Sequence, residues 1–493
     1  MPVGGGLKLQ PESWSAKSEV RGEMAVSSME IDNQDTLTSE GASNISKTRP
    51  KLLFLAYPFP PAKAPGCVRT WNIATYLTQL GWDVTVVTPD PSVLRKVDDG
   101  EKVSRELDLR GIKRILTGHR WRCLGSDFLK CWNQNLGWLA GGVCRTIARG
   151  LGIESYVGWI KPVEEACSTL SPKDVDVILA SGSPFVAFRL ARSLSDRLGR
   201  PYVLDYRDPW TGSPHRDRPP RPATIREEAS LLQGCAAATI VSPSWGSGLD
   251  RCYGVGERLH VLTNGYDTGE MASIKPYDFG HCAFVYAGIF YPPKRVISPF
   301  LAALKLLKES PNENVNKWYL HYYGDSGHEG HIRGEADRFD LNDRIVFHGR
   351  VPRREALSAV KGASLSVVIT SVAEQETLED NGIVTGKIFE AIGLATPVLL
   401  IAPIGSDARA ITEPTGLVKS FTGTEVSAMA SFLKAVVNGQ VPQLKNAESC
   451  SWTTLSKNFD AILRRILERD KNQADLRDGE GGWHGSSAPK QAY

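Results

Sequence analysis

The chain has 493 residues, of which 41% are hydrophobic and 23% charged, and its formal net charge is +3. A charge this close to neutrality gives no support for a nucleic-acid partner, because a polyanion is bound by a strongly basic surface. The nine cysteines form no C-x-x-C pair. This argues against a disulfide framework and a zinc site, and it favours a reducing, cytoplasmic compartment.

The two ends of the chain differ in composition from its middle. Residues 1–48 and 471–493 are rich in glycine, serine and charged residues, so both are predicted to be disordered tails. The first of them lacks the apolar core of a signal peptide, and no segment approaches the ~20 apolar residues that a spanning helix needs. The remainder is long enough for two domains of roughly 200 residues each.

The first predicted elements are a strand, a helix and a second strand. The apolar run Lys51–Ala56 ends abruptly in a proline-rich loop that reaches Gly66, which predicts a buried parallel strand. Apolar residues at helical spacing follow over Val68–Gly81, and Asp83–Pro89 is the next predicted strand. The three elements form a βαβ unit, which predicts a right-handed crossover and a doubly wound sheet.

Further units of the same kind follow along the chain. The first half contains predicted strands at Val175–Ala180, Pro201–Asp205, Ala237–Ser242 and Leu259–Leu262. A second set comprises Cys282–Gly288, Trp318–Tyr323, Ile345–His348, Leu365–Ile369 and Val398–Ile401. The predicted domains are therefore residues 49–274 and 275–450, followed by a helix at 451–470 that either caps the second domain or returns to the first. Tandem doubly wound domains bind ligands at the carboxyl ends of their strands, here across a shared cleft.

The most informative segment runs from Thr385 to Glu390. The small residues Thr385 and Gly386 are followed at once by Lys387, and Glu390 comes one helical turn later. Amides at a helix start and an ammonium suit a diphosphate, and a carboxylate one turn on can accept hydrogen bonds from ribose hydroxyls. The segment is not a P-loop, because Ile388 stands where a serine or threonine is required. It predicts a nucleotide-sugar site, and an exposed lysine at a plain helix start is the alternative.

Other polar residues also follow predicted strands. Gly66 either shapes a surface turn or faces a phosphate or acceptor in the cleft. Asp205, Arg207 and Asp208 stand at the end of one strand, where they form either an ion pair or part of an acceptor or catalytic site. The basic stretch Lys102–Arg122 predicts a solvated helix face, and contact with anionic lipid is the alternative.

An ordered series of motifs runs through both halves. The second half contains Tyr286-Ala287-Gly288, Tyr323-Gly324-Asp325, Val346–Pro352 and Gly386–Glu390. The first half contains Tyr57–Pro61, Ser181–Phe185, Asp205–Trp210 and Asn264–Asp267. This series resembles the GT-B glycosyltransferases, in particular the retaining group called glycosyltransferase family 4. The resemblance covers residues 51–469 and leaves both tails outside it.

The resemblance implies an α/β fold of the GT-B type, in which two Rossmann-like doubly wound domains, one for the acceptor and one for the donor, face each other across a cleft. It implies a retaining transfer of a sugar from a nucleoside diphosphate sugar to a hydroxyl of a glycan, glycolipid or small molecule, as in polysaccharide biosynthesis. No metal and no cofactor besides the donor substrate are implied. A lipid-linked acceptor would bring peripheral contact with a membrane. The alternatives are a nucleotide-sugar 2-epimerase of the same fold and a degenerate protein that binds a nucleotide or a partner.

The resemblance also suggests roles for individual residues. Glu390 matches the second carboxylate of a Glu-x7-Glu motif, which holds the ribose, whereas the first carboxylate would fall on Gly382, a departure from the family. Basic residues that follow the position of Gly288 meet the diphosphate, and Arg207 stands where a histidine is often found. The expected catalytic residues are Lys387, Arg207 and Asp205. The expected substrate-binding residues are Glu390, Lys294, Arg295, Gly288, Gly386, Thr385, Gly66, Asp208 and Asn264.

Overall fold

A computed structural model describes residues 49–94, 97, 100–120, 146, 154, 156–214, 219–311, 318–373 and 377–480. They form two lobes, each built on one β-sheet. The strands of the first lobe are β1 (Lys51–Leu55), β2 (Asp83–Pro89), β3 (Lys113–Thr117), β4 (Val177–Gly182), β5 (Tyr202–Tyr206), β6 (Ala237–Ile240) and β7 (Leu259–Val261). Those of the second are β8 (Cys282–Ala287), β9 (Trp318–Tyr323), β10 (Ile345–Gly349), β11 (Leu365–Ile369), β12 (Val398–Ile401) and β13 (Val418–Phe421).

All strands of both sheets are parallel, and in each sheet the order in which the strands are added reverses near the middle. The first has the order β3-β2-β1-β4-β5-β6-β7 and the second has the order β10-β9-β8-β11-β12-β13. The reversals lie between β1 and β4 and between β8 and β11. Ligands bind at such switch points, in the crevice outside the carboxyl ends of the strands. The predicted α/β fold of two doubly wound sheets is confirmed.

Helices connect the strands and bury both faces of each sheet. Leu53 of β1 belongs to one buried cluster and Phe54 to another, which explains why the strand has no polar alternation. The helices before the second sheet are Cys67–Gln79, Gly100–Leu109, Ile160–Ala166, Val186–Leu198, Pro222–Gly234, Pro243–Tyr253 and Thr268–Ser273. The later ones are Ser298–Lys308, Glu329–Arg338, Arg353–Gly362, Leu378–Asn381, Gly386–Gly393, Asp407–Thr412, Val426–Val437 and Trp452–Glu480.

The basic stretch predicted as one solvated helix face has two parts in the structure. A helix ends at Leu109, and the edge strand β3 follows at Lys113–Thr117 and pairs with β2. This strand escaped prediction because its cations lie on an exposed sheet edge, where charges are common. Trp121 and Arg122 lie outside the described residues.

The C-terminal helix packs against the first lobe. Phe459 and Leu463 are buried in the same cluster as Phe54, and the indole nitrogen of Trp82 donates a 2.6 Å hydrogen bond to Asp460. The helix runs to Glu480, past the predicted end at residue 470, so part of the predicted C-terminal tail is helical. The remainder of that tail and the whole N-terminal tail lie outside the described residues. No described helix combines the length and apolarity that crossing a bilayer requires.

The lobes meet at the carboxyl ends of their strands. The backbone N–H and the hydroxyl of Ser244, which follows β6, donate hydrogen bonds of 2.7 and 2.8 Å to Asp407, which follows β12. Ile383 of the second lobe is buried in a core cluster of the first. The carboxyl ends of the strands in the two sheets therefore face each other across a shared crevice.

Candidate functional site

Lys387 is the second residue of the helix Gly386–Gly393, whose N-cap residue is Thr385. Its ammonium lies against Gly288, directly after β8. The approach is so close that a Cβ built on this glycine would overlap Nζ. Burial and the nearby Arg295 lower the pKa of Lys387 to about 8, against the opposing effect of Glu390. No hydrogen bond or salt bridge to Nζ occurs among the described residues, so the structure holds a partly desolvated cation that an anion would stabilise.

Glu390 lies one turn further along the same helix and forms an ion pair with Arg353. Arg353 also makes two 3.0 Å hydrogen bonds to Glu270 in the short helix between the lobes. Burial would lower the pKa of Arg353, but the two carboxylates raise it. Only one oxygen of Glu390 is engaged by Arg353, so the other is available to accept a hydrogen bond from a ligand.

Two further cations, Lys294 and Arg295, lie in the loop after β8, and they differ in their partners. The ammonium of Lys294 lies 2.8 Å from Asp380, a carboxylate with a 2% exposed side chain. Arg295 packs over the ring of Tyr291, and its buried Nε has no hydrogen-bond partner among the described residues. The charge of Lys294 is therefore largely neutralised, whereas that of Arg295 adds to the charge of Lys387.

A cavity of about 200 Å³ brings several of the predicted residues together. It lies at the switch point of the second sheet, between the ends of β8 and β11. Its lining includes Gly288, Lys387, Glu390, Arg353 and Tyr323. Thr385 and Gly386, which begin the helix, do not line the cavity, and the exposed Gly386 has open space around it.

A row of three histidines lies behind this cavity. His321 makes 2.9 Å hydrogen bonds to His281 with one ring nitrogen and to His348 with the other. His348 stacks on Tyr323, with ring centroids 4.1 Å apart. Burial, together with the two neighbouring histidines, lowers the pKa of His321 to about 4, so this central histidine is neutral near pH 7.

The predicted residues of the first lobe form a second group. The guanidinium of Arg207 lies against Gly66, where a Cβ would overlap it, and donates a 3.2 Å hydrogen bond to Asp208. Gly66 immediately precedes the helix Cys67–Gln79, and Arg207 and Asp208 follow β5. The structure therefore brings the loops after β1 and β5 together at the crevice.

Asp205 has surroundings that differ from those of a catalytic carboxylate. Its side chain is fully buried and paired with Arg69, at 2.6 Å from Nη2, and it accepts 2.8 Å hydrogen bonds from Ser181 and Thr239. Burial would raise the pKa of Asp205, but Arg69 and these hydrogen bonds lower it. The structure thus places Asp205 inside a closed network, out of reach of a substrate, so the expectation that it acts on substrate is corrected.

Asn264 belongs to the same network. Its side-chain oxygen lies 3.2 Å from Arg69, which also binds the carbonyls of Leu262 and Thr263. The side-chain oxygen of Asn264 therefore helps to fix the loop after β7 to β5, and the substrate contact of Asn264 stays a prediction.

Sequence reasoning missed two residues that organise these groups, Arg69 and Arg353, and it also missed Trp245, whose indole lies against Gly382. A signal for Arg69 exists, because it precedes Ile73 by one helical turn and Leu77 by two. It therefore lies on the buried face and requires a buried carboxylate. Arg353 and Trp245 have no comparable local signal, because their partners lie in distant segments.

The comparisons with known proteins agree with this architecture. Residues 67–265 match the family model described as "Glycosyl transferase 4-like domain". Sucrose-phosphate synthase from Thermosynechococcus elongatus is 14% identical, with a TM-score of 0.52 over 88% of this chain and 99% of that one. Residues 67–265 therefore carry a glycosyl transferase 4-like domain, and the two lobes together have the GT-B fold.

Two other solved structures share the GT-B fold. A glycosyltransferase from Rickettsia africae is 14% identical, with a TM-score of 0.51 over 86% of this chain and 98% of that one. HepE from Anabaena, solved in complex with UDP-glucose, is 15% identical, with a TM-score of 0.50 over 86% of this chain and 99% of that one. Identities this low show the fold alone. The sequence matches none of the curated proteins with which it was compared.

Proposed function

We propose that this GT-B protein transfers a sugar from a nucleoside diphosphate sugar to a hydroxyl of a carbohydrate or lipid-linked acceptor. The proposed transfer retains the configuration at the anomeric carbon and needs no metal ion. The observation that carries the proposal is the cavity of about 200 Å³ at the switch point of the second sheet. There the desolvated ammonium of Lys387 has no anionic partner in contact among the described residues, and Glu390 lies one turn away.

The diphosphate would lie against Lys387, with Arg295 and the first amides of the helix Gly386–Gly393 as further donors. Glu390 would accept a hydrogen bond from a ribose hydroxyl through the oxygen that Arg353 leaves available. Arg353 is then a positioning residue, because its contact with Glu270 fixes the direction from which it holds Glu390.

The chemical step would follow from the charge that develops as the donor breaks. The bond between the anomeric carbon and the phosphate oxygen cleaves, and the acceptor oxygen bonds to the same face of that carbon. The acceptor proton passes to the leaving phosphate. Preorganised donors at such a developing charge typically contribute about 3–4 kcal/mol each, and Lys387 and Arg295 would supply this stabilisation.

Arg207 would contribute from the other lobe. It stands at the crevice beside Gly66, tied to the half-exposed carboxylate of Asp208. From there it would meet either the leaving group or the acceptor. Asp205 would act only by positioning this strand end, through Ser181 and Arg69.

The first donor to test is UDP-glucose, because HepE is solved with it. Thermal unfolding is measured with UDP-glucose, UDP-galactose, ADP-glucose and GDP-mannose, and a donor at 100 times its dissociation constant should stabilise by about 2.7 kcal/mol. Product analysis without acceptor follows, because an epimerase would change the donor sugar and a transferase would leave it intact or hydrolyse it slowly. Absence of a shift with every donor would reject the proposal.

Peripheral membrane contact is a finer part of the proposal. The helix Gly100–Leu109 and β3 expose Lys102, Arg105 and Lys113 together with Leu109 and Leu116, and exposed cations beside apolar residues suit an anionic lipid surface. Sedimentation with vesicles of phosphatidylglycerol and phosphatidylcholine, compared with phosphatidylcholine alone, tests it. Equal binding to both would reject an electrostatic membrane contact.

A further inference from the structure

The departure at Gly382 has a structural counterpart in the other lobe. Gly382 is buried, and a Cβ built on it would overlap the indole ring of Trp245. Trp245 lies in the first turn of the helix Pro243–Tyr253, which follows β6, and is 4% exposed. The space into which a side chain at position 382 would extend is therefore filled by an aromatic ring from the first lobe.

The position of this ring is fixed from both sides. The preceding residue, Ser244, makes two hydrogen bonds to Asp407 of the second lobe. The residue after Gly382, Ile383, is 5% exposed and packs in the same core cluster as Trp245. These contacts hold the indole in a fixed position between the lobes, where it forms a wall of the crevice.

That wall closes a second chamber, of about 310 Å³. The chamber lies at the carboxyl ends of β4, β5 and β6, apart from the cavity that contains Lys387. Two of its walls, Phe185 and Trp210, are stacked with ring centroids 4.9 Å apart. Its polar groups are the carboxylate of Asp208 and the hydroxyls of Ser183 and Ser213.

This lining has the chemistry of a carbohydrate subsite. A pyranose has a ring of hydroxyls around its edge and apolar C–H groups on its faces. Aromatic walls can cover such a face, and a carboxylate makes strong charge-assisted hydrogen bonds to hydroxyls at the edge. A cleft of this size with a few converging polar groups is typical of small-molecule sites.

We infer that this chamber binds a pyranose ring, and that Trp245 supplies the wall that a side chain at position 382 would otherwise provide. The inference rests on the proposed function, since the ring belongs to either the donor or the acceptor of the transfer. In both cases the sugar is recognised by Asp208 and aromatic rings of the first lobe instead of a carboxylate at position 382.

The binding test uses saturation-transfer NMR on the full chain with the methyl α-D-pyranosides of glucose, galactose and mannose. At least one should receive magnetisation at its ring protons. Trp245→Ala and Asp208→Asn should each weaken its binding at least about tenfold, the effect of losing roughly one good contact. Trp318→Phe, at a buried tryptophan in the core of the second lobe, should leave it unchanged. No binding of any glycoside, or unchanged binding in Asp208→Asn, would overturn the inference.

Adding UDP or UDP-glucose shows whether the bound glycoside takes the place of the donor's sugar ring or of the acceptor's. A glycoside displaced by UDP-glucose but not by UDP identifies the donor's ring, and one that stays bound beside UDP-glucose identifies the acceptor's. UDP binding in the same samples reports independently on the proposed function. A bound glycoside with no thermal shift from any of the four nucleotide sugars would leave the chamber standing and reject the function. A shift with a nucleotide sugar but no bound glycoside would reject the chamber and leave the function standing.

A double-mutant cycle tests the wall itself. Gly382→Ala should lower the Tm by at least about 2 °C, because the new methyl group must displace the indole of Trp245. The same substitution in a Trp245→Ala background should cause a much smaller shift, since the space is then free. Equal shifts in the two backgrounds would show that the indole does not occupy this space.

Discussion

Both lobes place arginine or lysine residues at the crevice end of a parallel sheet, but they treat the charges differently. In the first lobe, Arg69 is enclosed by Asp205 and three backbone or side-chain oxygens at the loop after β7. In the second, the ammonium of Lys387 is desolvated without such a partner among the described residues, and Arg295 raises the local positive charge. A compensated charge stabilises the fold, whereas an uncompensated one is prepared for an anionic ligand.

The largest expected effect comes from removing the cation of the buried Arg69–Asp205 ion pair. Arg69→Met leaves the buried carboxylate of Asp205 without its cation and should lower the free energy of unfolding by about 3–5 kcal/mol. Urea unfolding followed by circular dichroism measures this loss. Arg192→Met is the matched control, because the Arg192–Asp196 pair is exposed, and a surface pair contributes about 0–1 kcal/mol. Equal losses in both variants would remove the distinction between the two kinds of arginine.

Lys387→Ala should have the opposite character, with a large loss of activity and no loss of stability. Transfer should slow by about 10²–10³-fold, because a donor at the developing charge is removed. The Tm should stay the same or rise, since a desolvated cation has gone. Lys305→Ala, on the exposed side of the helix Ser298–Lys308, should change neither. Near-normal turnover of Lys387→Ala would contradict the role proposed for it.

The histidine row should make the second lobe sensitive to acid. The unfolded chain takes up a proton at His321 near its ordinary pKa of 6.5, whereas the folded chain does so only near 4. Stability is therefore full above 6.5 and falls as the pH drops from 6.5 to 4, by roughly 3 kcal/mol. His321→Phe should flatten this part of the stability profile, and His331→Asn, at an exposed site, should not. A profile that His321→Phe leaves unchanged would assign the acid sensitivity to other groups.

The smallest expected effect concerns the residue that holds Glu390. Arg353→Ala should raise the KM for the donor by about threefold to tenfold, less than Glu390→Ala, which removes a charge-assisted hydrogen bond. Combining the two should add little to Glu390→Ala alone, because Arg353 acts through Glu390. Fully additive losses in the double variant would show that Arg353 contacts the donor by another route.

The contrast between the lobes also explains what the sequence could predict. Lys387 and Glu390 are three residues apart in one helix, so their spacing in the sequence was enough to predict that the ammonium and the carboxylate share one cavity. Asp205 looked similar at its strand end, but its partner Arg69 lies 136 residues away in sequence, and without that partner its burial was not apparent. The overlap of Trp245 with Gly382 depends on how two lobes meet, which no local pattern encodes.

The most direct test of the central claim is calorimetric titration of the full chain with a nucleoside diphosphate and with the matching nucleoside, the base being that of the donor which gives the largest thermal shift. We predict that the diphosphate binds at least about 100-fold more tightly than the nucleoside, through charge-assisted contacts with its phosphates. This preference should weaken as the pH rises through about 8, where the Lys387 ammonium loses its proton, and should largely disappear in Lys387→Ala. A preference for the diphosphate that persists unchanged in Lys387→Ala would contradict the proposed role of this ammonium.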